Sequence, residues 1–216
     1  YHMSRLVGEP KTEEIVKGGQ WDDPSVIATA EAYADFASKG YFSETIASNV
    51  WPAGQNQELA MGTAAMYLNG SWLPNEVKDM AGDDFVWGCF SYPAVEGGTD
   101  GVDAANYGAQ VLAINKDSEN AENAFKLICY ITQGEFDKMM SEMSIGIPAD
   151  SNNTEWPALI SCVKPVMDSM NTRYPWAAGA EANADMTPII KENFLKLCGG
   201  SIDAQGFVDA LKKAGN

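Results

Sequence analysis

The first side chains to consider are those that could act as catalytic bases. A nucleophilic serine or cysteine needs such a base beside it, most often a histidine. The chain contains a single histidine, His2, at its very beginning. A Ser/His/Asp or Cys/His relay therefore has no credible base, and the sequence predicts a protein that is not an enzyme.

Carboxylates are the other potential catalysts and ligands, and the chain has 30 Asp and Glu residues. A pair of them could hydrolyse a glycosidic bond, but none lies in an apolar context that would indicate a raised pKa. Asp100 and Asp103 in a glycine-rich loop could approach calcium, yet they lack the ordered ligand series of a calcium loop. We predict a solvated acidic surface, no metal and no other cofactor.

Charge and composition restrict the partners. The formal net charge is -16 and 45% of the 216 residues are hydrophobic, so the chain can form a sizeable core but should repel polyanions. Nucleic acid is therefore not an expected partner.

No apolar run reaches the roughly 20 residues of a membrane span. The first residues do not resemble a signal peptide, so we expect any export signal to have been removed or to lie outside this sequence.

Four cysteines lie far apart in the chain, at Cys89, Cys129, Cys162 and Cys198. No CxxC or Cys/His cluster occurs, which argues against a zinc site. Three of the four lie within apolar runs. We therefore predict four buried thiols.

Aromatic residues offer better material for binding than for catalysis. Flat ring faces can stack on the C–H side of a sugar, while amides and carboxylates pair with its hydroxyls. Packing in the core is the alternative, and it is the favoured one for Trp51 and Trp176; for Trp72 the two alternatives stay open. For Gly70, Ser71 and Gly108 the favoured alternative is a simple turn role. The aromatic residues in or beside predicted loops are Trp51, Trp72, Tyr107, Tyr174 and Trp176.

The elements around Trp72 would present it to a ligand. Residues 64–68 form a short apolar run that predicts a buried strand, and Ser71 is a suitable N-cap for a following helix. Ligands of open α/β sheets bind beyond the carboxyl ends of the strands. Trp72 would then lie at the rim of such a site.

The rest of the chain predicts more helices than strands. Asp23 and Pro24 are typical of a helix start, whereas 8–20, with its proline and glycines, is predicted to be a connection. The remaining predicted elements are strands at 85–92 and 109–115 and helices over 26–37, 121–131, 135–143, 157–170, 186–197 and 201–213. The fold class is therefore α/β and helix-rich.

Residues 58–72 read Glu-Leu-Ala-Met-Gly-Thr-Ala-Ala-Met-Tyr-Leu-Asn-Gly-Ser-Trp. This stretch resembles the signature of the extracellular solute-binding proteins of sugar ABC transporters, the group that includes maltose-binding protein. The neighbouring motifs follow in the family's order, and the similarity extends over most of the chain. These motifs are 22–24, 92–93, 107–108, 111–114, 121–132 and 146–149.

The resemblance implies a periplasmic-binding-protein-like class II fold, represented mainly by its C-terminal lobe. It divides the chain into a first part of that lobe at 1–105, a crossover segment at 106–153, and closing helices at 154–216. The crossover segment would pack on a missing N-terminal lobe or a second chain. The implied function is to capture an extracellular mono- or oligosaccharide and deliver it to the permease, as a periplasmic protein or cell-surface lipoprotein.

By position, the resemblance assigns the sugar-stacking role to Trp72, while Trp176 and Tyr174 are aromatic candidates only. Because the chain has only two arginines, Arg5 and Arg173, we expect stacking to dominate over charge, which argues against an acidic ligand. The rival functions are a peptide or polyamine receptor, a glycoside hydrolase fragment, and a structural or adhesive domain. The other residues assigned to the site are Asn69, Gly70, Ser71, Asn106, Tyr107 and Gly108.

Overall fold

The structure is a computed structural model that describes residues 1–175, 179 and 183–215. This part of the chain is mainly helical, as the sequence predicts. The α-helices, in chain order, are α1 (His2–Val7), α2 (Glu9–Gly18), α3 (Pro24–Ser38), α4 (Ala53–Ala60), α5 (Leu73–Ala81), α6 (Ala121–Ile131), α7 (Gly134–Ser144), α8 (Val163–Asp168), α9 (Met186–Cys198) and α10 (Ala204–Gly215), and a 3-10 turn spans Ala158–Ile160.

The described residues form one small sheet of two parallel strands. Strand β1 (Ala104–Asn106) pairs with β2 (Thr172–Tyr174), so that Ala105 lies opposite Arg173. The backbone N–H of Tyr107 donates to the carbonyl of Tyr174 at 3.1 Å and extends the pairing by one residue.

The capping signals predicted α3 correctly. The Asp23 side chain accepts a hydrogen bond from the Ser25 N–H at 3.0 Å, and Pro24 occupies the first helical position. The connection predicted at 8–20 is wrong, because α2 occupies most of it. Pro10 lies in the first turn, where its missing N–H is not needed, and Gly19 ends the helix with φ 63°.

The three predicted strands at 64–68, 85–92 and 109–115 are also wrong. None of these segments has the backbone pairing of a strand. Each segment has strongly exposed apolar side chains, with 68% of Met66, 91% of Val86 and 81% of Val111 accessible to solvent, although Tyr67, Phe85 and Trp87 pack partly buried against Leu59, Leu73 and Val77. Apolar character alone does not make a strand, because a strand also needs a neighbour for its N–H and C=O groups.

The chain folds as two compact units, which we describe separately. The first consists of Tyr1–Trp51, Ser91–Gly108 and Met170–Asn216, and the second of Pro52–Phe90 and Ala109–Ser169. The domain boundaries implied by the resemblance, 1–105, 106–153 and 154–216, stay a prediction.

The core of the first unit lies among α2, α3, α9 and α10. Its buried residues are Ile15, Trp21, Val26, Ala30, Met186, Leu197, Ala204, Phe207, Val208 and Leu211. The second unit has two smaller buried clusters. One consists of Leu59, Leu73 and Val77, and the other of Ile145, Ile160 and Val163.

The prediction of four buried thiols is wrong for three of them. Only Cys198 is buried, whereas Cys89 is exposed and Cys129 and Cys162 are partly exposed; all four are free thiols. Cys162 packs at the edge of the cluster of Ile145, Ile160 and Val163, and is therefore only partly covered. In the described part of the chain, no helix is long and apolar enough to cross a membrane.

Candidate functional site

In the second unit, α4 and α5 hold the segment that carries Trp72. The two helices pack through Leu59, Leu73 and Val77. The buried side chain of Asn56 also donates from Nδ2 to Glu76 Oε2 at 3.0 Å. These contacts fix the start of α5, and therefore the position of the residue before it.

Trp72 is the N-cap residue of α5, and 43% of its side chain is exposed. Its indole lies directly on the backbone of Gly70, where a Cβ atom would come within 2.1 Å of the ring. Gly70 is therefore needed so that the ring can lie flat against the chain, which is more than a turn residue requires. The indole is neither enclosed in a core nor detached from the surface.

The residues beside Trp72 hold one another in place. Asn69 accepts a hydrogen bond from the Gly70 N–H at 2.7 Å, and the Tyr67 hydroxyl donates to Gln55 at 2.7 Å. The predicted capping role of Ser71 is wrong, because Trp72 occupies the N-cap position and no side chain caps α5. The structure thus brings Asn69, Gly70, Ser71 and Trp72 together on one surface, which we call the Trp72 surface.

In the first unit, Asn106, Tyr107 and Gly108 lie at and just beyond the end of β1. The Asn106 N–H donates to the Tyr1 hydroxyl at 2.9 Å, and its side-chain amide donates to the Pro175 carbonyl at 3.0 Å. Tyr107 is 44% exposed. A Cβ at Gly108 would meet no heavy atom within 4 Å, so no close contact there requires glycine.

Beneath this end of the sheet, Arg5 connects three segments of the first unit. Its side chain is fully buried and donates to the Tyr92 carbonyl at 2.9 Å, to Ser91 at 3.1 Å and to the Tyr174 hydroxyl at 3.1 Å. The Tyr174 hydroxyl in turn donates to Asp100 at 2.7 Å. Burial and this hydrogen bond raise the pKa of Tyr174 to about 12. Tyr174, an aromatic candidate in the sequence, is therefore a structural residue.

Sequence reasoning missed Arg173 as a member of this surface. Its guanidinium carbon lies 4.9 Å from the centroid of the Tyr107 ring. The scarcity of arginine suggested that charge is unimportant near the site, but one of the two arginines lies on a predicted site residue. We call Tyr107, Gly108 and Arg173 the Tyr107 surface; Asn106, the register partner of the buried Tyr174, faces the other side of the strand. One feature of the sequence could have pointed to Arg173: it lies next to Tyr174 in a short run of residues that favour strands.

Trp176, the last predicted site residue, lies outside the described residues.

A polar cavity of about 440 Å³ in the second unit contains none of the predicted site residues. It lies between the end of α6 and the turn after α7, and its lining consists of Thr132, Gln133, Ala149, Asp150, Ser151 and Asn152.

The groups considered for catalysis and metal binding have other partners. His2 contacts the rings of Tyr33 and Tyr92, and burial lowers its pKa. Asp100 accepts from Tyr174, while Asp103 accepts from the Asn171 amide at 2.5 Å. Across the described ranges, no group of three or more His, Cys, Asp and Glu side chains could hold a metal ion.

The sequence matches the model of a known protein family. The model of the bacterial extracellular solute-binding proteins matches residues 9–158, well over half of the chain. No curated protein matches the sequence. The matched range contains the Trp72 surface and also Tyr107 and Gly108 of the Tyr107 surface. Arg173 lies outside it. The chain therefore belongs to the family of bacterial extracellular solute-binding proteins.

Proposed function

We propose that this protein captures an extracellular mono- or oligosaccharide and delivers it to the permease of an ABC importer. The observation that supports the sugar is the indole of Trp72, which keeps 43% of its surface exposed while it lies on Gly70. Family membership supports capture of a small molecule in general. The exposed indole is the feature that favours a carbohydrate.

The chemistry of the Trp72 surface fits a neutral polyhydroxylated ligand. One face of the indole can cover the C–H side of a pyranose, and burial of an aromatic side chain contributes about 1.5–3 kcal/mol. Ser71 and the Asn69 amide lie next to the ring in the chain and can pair with hydroxyl groups. Because Asn69 already accepts from the Gly70 N–H, its amide is held in place before a ligand binds, which lowers the entropic cost of binding.

We also propose that the crossover segment, 106–153, packs on a further lobe or on a second chain. No residue of α6 is buried, and Phe125, Leu127 and Tyr130 are each 59–64% exposed. Leu127 and Tyr130 lie three residues apart and share one side of the helix, whereas Phe125 lies on another, so apolar surface is exposed on more than one side of α6. Exposed apolar surface of this kind typically marks a region that another protein covers. The proposal agrees with the crossover role that the family resemblance gives to this segment.

Calorimetry with a panel of neutral mono- and oligosaccharides tests the sugar proposal. We expect binding, and we expect Trp72→Ala to weaken it at least about tenfold, because the lost stacking area is worth more than the 1.4 kcal/mol that a factor of ten requires. Trp51→Ala is the matched control. It removes another exposed tryptophan, 55% accessible and in the first unit, and should leave affinity unchanged.

Two outcomes would contradict this proposal. No response to any saccharide, together with a response to a peptide or to a polyamine such as spermidine, would assign the protein to another ligand class. Equal losses in Trp72→Ala and Trp51→Ala would show a general effect of removing tryptophan, and would exclude a specific role of Trp72.

A further inference from the structure

Two accessible thiols belong to the second unit and come from distant parts of its sequence. Cys89 is exposed and Cys162 is partly exposed, and both are free thiols in this structure. The protein belongs to an extracellular family. Outside the cell, conditions are oxidising, and accessible thiols that can meet are converted to disulfides. The fold therefore decides whether these two can pair.

Helix α5 connects the surroundings of the two thiols. Phe85 and Trp87 pack partly buried on the small apolar cluster to which Leu73 and Val77 of α5 belong. The 3-10 turn at Ala158–Ile160 also contacts α5. The segment before Cys89 and the turn before Cys162 therefore approach the same helix.

The exposure pattern shows which way Cys89 faces. Val86 is 91% exposed, whereas the rings before and after it, Phe85 and Trp87, are partly buried. This alternation indicates an extended backbone, in which every second side chain points to the same side. Cys89 follows Trp87 by two residues and so belongs to the side that faces α5. Cys162 follows Ile160 by two residues and packs at the edge of its cluster.

The electrostatics of Cys89 agree with this placement. Partial burial of the sulfur raises the pKa of the Cys89 thiol, and a charge on Cys162 raises it further. Between groups near the surface, such an influence extends over about one Debye length, roughly 10 Å. A disulfide needs Cα atoms about 4.4–6.8 Å apart. The two thiols therefore need to approach each other by only a few ångströms.

The backbone around Cys89 is free to make that approach. In the described part of the chain, no hydrogen bond joins the backbone of 86–90 to another backbone group. A Cβ atom at Gly88 would meet no heavy atom within 4 Å, and Phe90 is 64% exposed. The segment is held through Phe85 and Trp87. It can therefore shift at Cys89 without breaking a backbone pairing.

We propose that Cys89 and Cys162 form a disulfide bond in the exported protein, and that this structure shows their reduced form. The bond would link the apolar cluster of α4 and α5 covalently to the cluster around Ile160. Each of these clusters is small, and a disulfide adds stability by restricting the unfolded chain. The proposal uses the extracellular location of the family and does not depend on which ligand the protein binds.

The reaction needs an acceptor for two electrons, and a small-molecule disulfide such as oxidised glutathione supplies it. The thiolate of one cysteine attacks oxidised glutathione, forms a mixed disulfide and releases one reduced glutathione. The thiolate of the other cysteine then attacks the protein sulfur of the mixed disulfide. This step forms the bond between Cys89 and Cys162 and releases the second reduced glutathione. The two thiol protons and two electrons of the protein are thereby accounted for.

Peptide mapping of the oxidised full chain tests the proposal. The reduced protein is incubated with oxidised and reduced glutathione at pH 8, quenched with acid, alkylated in denaturant and digested without reduction. Mass spectrometry should then find a cross-linked peptide pair that contains Cys89 and Cys162. Its mass should be two hydrogens below that of the two free peptides. Cys198, which is buried, should carry the alkylating reagent.

Three single variants show whether the pairing is specific. Cys129→Ser is the matched control, because it removes another partly exposed thiol of the second unit. It should leave the cross-link intact, whereas Cys89→Ser and Cys162→Ser should each abolish it. Oxidation should also raise the midpoint of urea unfolding in the wild type and in Cys129→Ser, but not in Cys89→Ser.

Other outcomes of the mapping would overturn the proposal. Glutathione adducts on both Cys89 and Cys162, with no cross-link after both thiols are consumed, would show that the two sulfurs cannot meet in the folded protein. A predominant cross-link of either residue to Cys129 or Cys198, or to a second copy of the chain, would show that other thiols are closer. A cross-link that lowers the urea midpoint would show that the bond strains the native unit, and would also contradict the proposal.

Discussion

The two units differ in how completely they bury their apolar side chains. In the first, ten residues of α2, α3, α9, α10 and their connections form one continuous buried cluster. The second has two clusters of three. It also exposes many large apolar side chains, and those above 55% accessible include Met61, Met66, Leu68, Val86, Phe90, Val111, Leu112, Phe125, Leu127, Tyr130 and Met143.

Hydrogen bonds define part of the second unit where apolar packing does not. The Asp137 carboxylate is buried and accepts from the Ala149 N–H at 2.9 Å, the Asp150 N–H at 3.1 Å and the Asn153 amide at 2.7 Å. Asp150 in turn accepts from the Gly134 N–H at 2.9 Å. These bonds fasten the turn after α7 to the start of that helix. A unit ordered in this way can keep its shape while it offers apolar surface to a partner.

The largest expected difference between the units comes from one substitution made in each. Leu197 on α9 is 1% exposed, whereas Leu127 on α6 is 59% exposed. Leu197→Ala should lower the free energy of unfolding by about 2–5 kcal/mol, because it leaves a cavity in a packed core. Leu127→Ala should change it by less than about 0.5 kcal/mol. Urea unfolding followed by circular dichroism measures both.

The same two variants also show whether another protein surface covers α6 in solution. If Leu127→Ala destabilises the protein as much as Leu197→Ala, the α6 face is buried in solution, and concentration-dependent unfolding would identify a second copy as the cover. If Leu197→Ala is also harmless, the contrast between the units described above is wrong.

Local signals explain why several helices could be predicted from sequence, although a side-chain cap is present at α3 and absent at α5, α6, α7 and α9. Asp23 and Pro24 fix the start of α3, and Gly134 is the first residue of α7, three positions after α6 ends at Ile131; both signals act within a few residues. The strands depended on partners distant in the chain. The β1 residue Ala105 pairs with Arg173, 68 positions later, and no local pattern predicts such a pairing.

For the candidate site, too, a local segment could be predicted from sequence and the non-local contacts could not. The predicted strand end and the family resemblance singled out 69–72, whereas the contact of the Trp72 indole with Gly70 was not predicted. Arg173 was missed because its partner, Tyr107, comes from a different strand. Residues that are brought together by a non-local pairing leave no spacing to recognise.

Two glycines of the predicted site allow a smaller and sharper comparison. Gly70→Ala would place a Cβ 2.1 Å from the Trp72 ring. The ring must move, at a cost of about 1–3 kcal/mol, and tryptophan fluorescence should change. Gly108→Ala meets no atom within 4 Å, and Gly108 is not among the glycines with positive φ. It should change stability by less than about 0.5 kcal/mol.

An unchanged fluorescence spectrum in Gly70→Ala, with stability equal to that of Gly108→Ala, would show that the indole leaves Gly70 at no cost. Trp72 would then not be held for a ligand.

The smallest test leaves stability untouched and probes the two units through their thiols. Cys198 is the buried thiol of the first unit, and burial raises its pKa to about 11. Since the thiolate is the reactive form, it should resist a thiol reagent at pH 8 until the protein unfolds. The three thiols of the second unit are exposed or partly exposed, so we expect them to label in the native protein. Cys198→Ala should leave that rapid phase unchanged, whereas rapid labelling of all four thiols would show that the first unit opens as readily as the second.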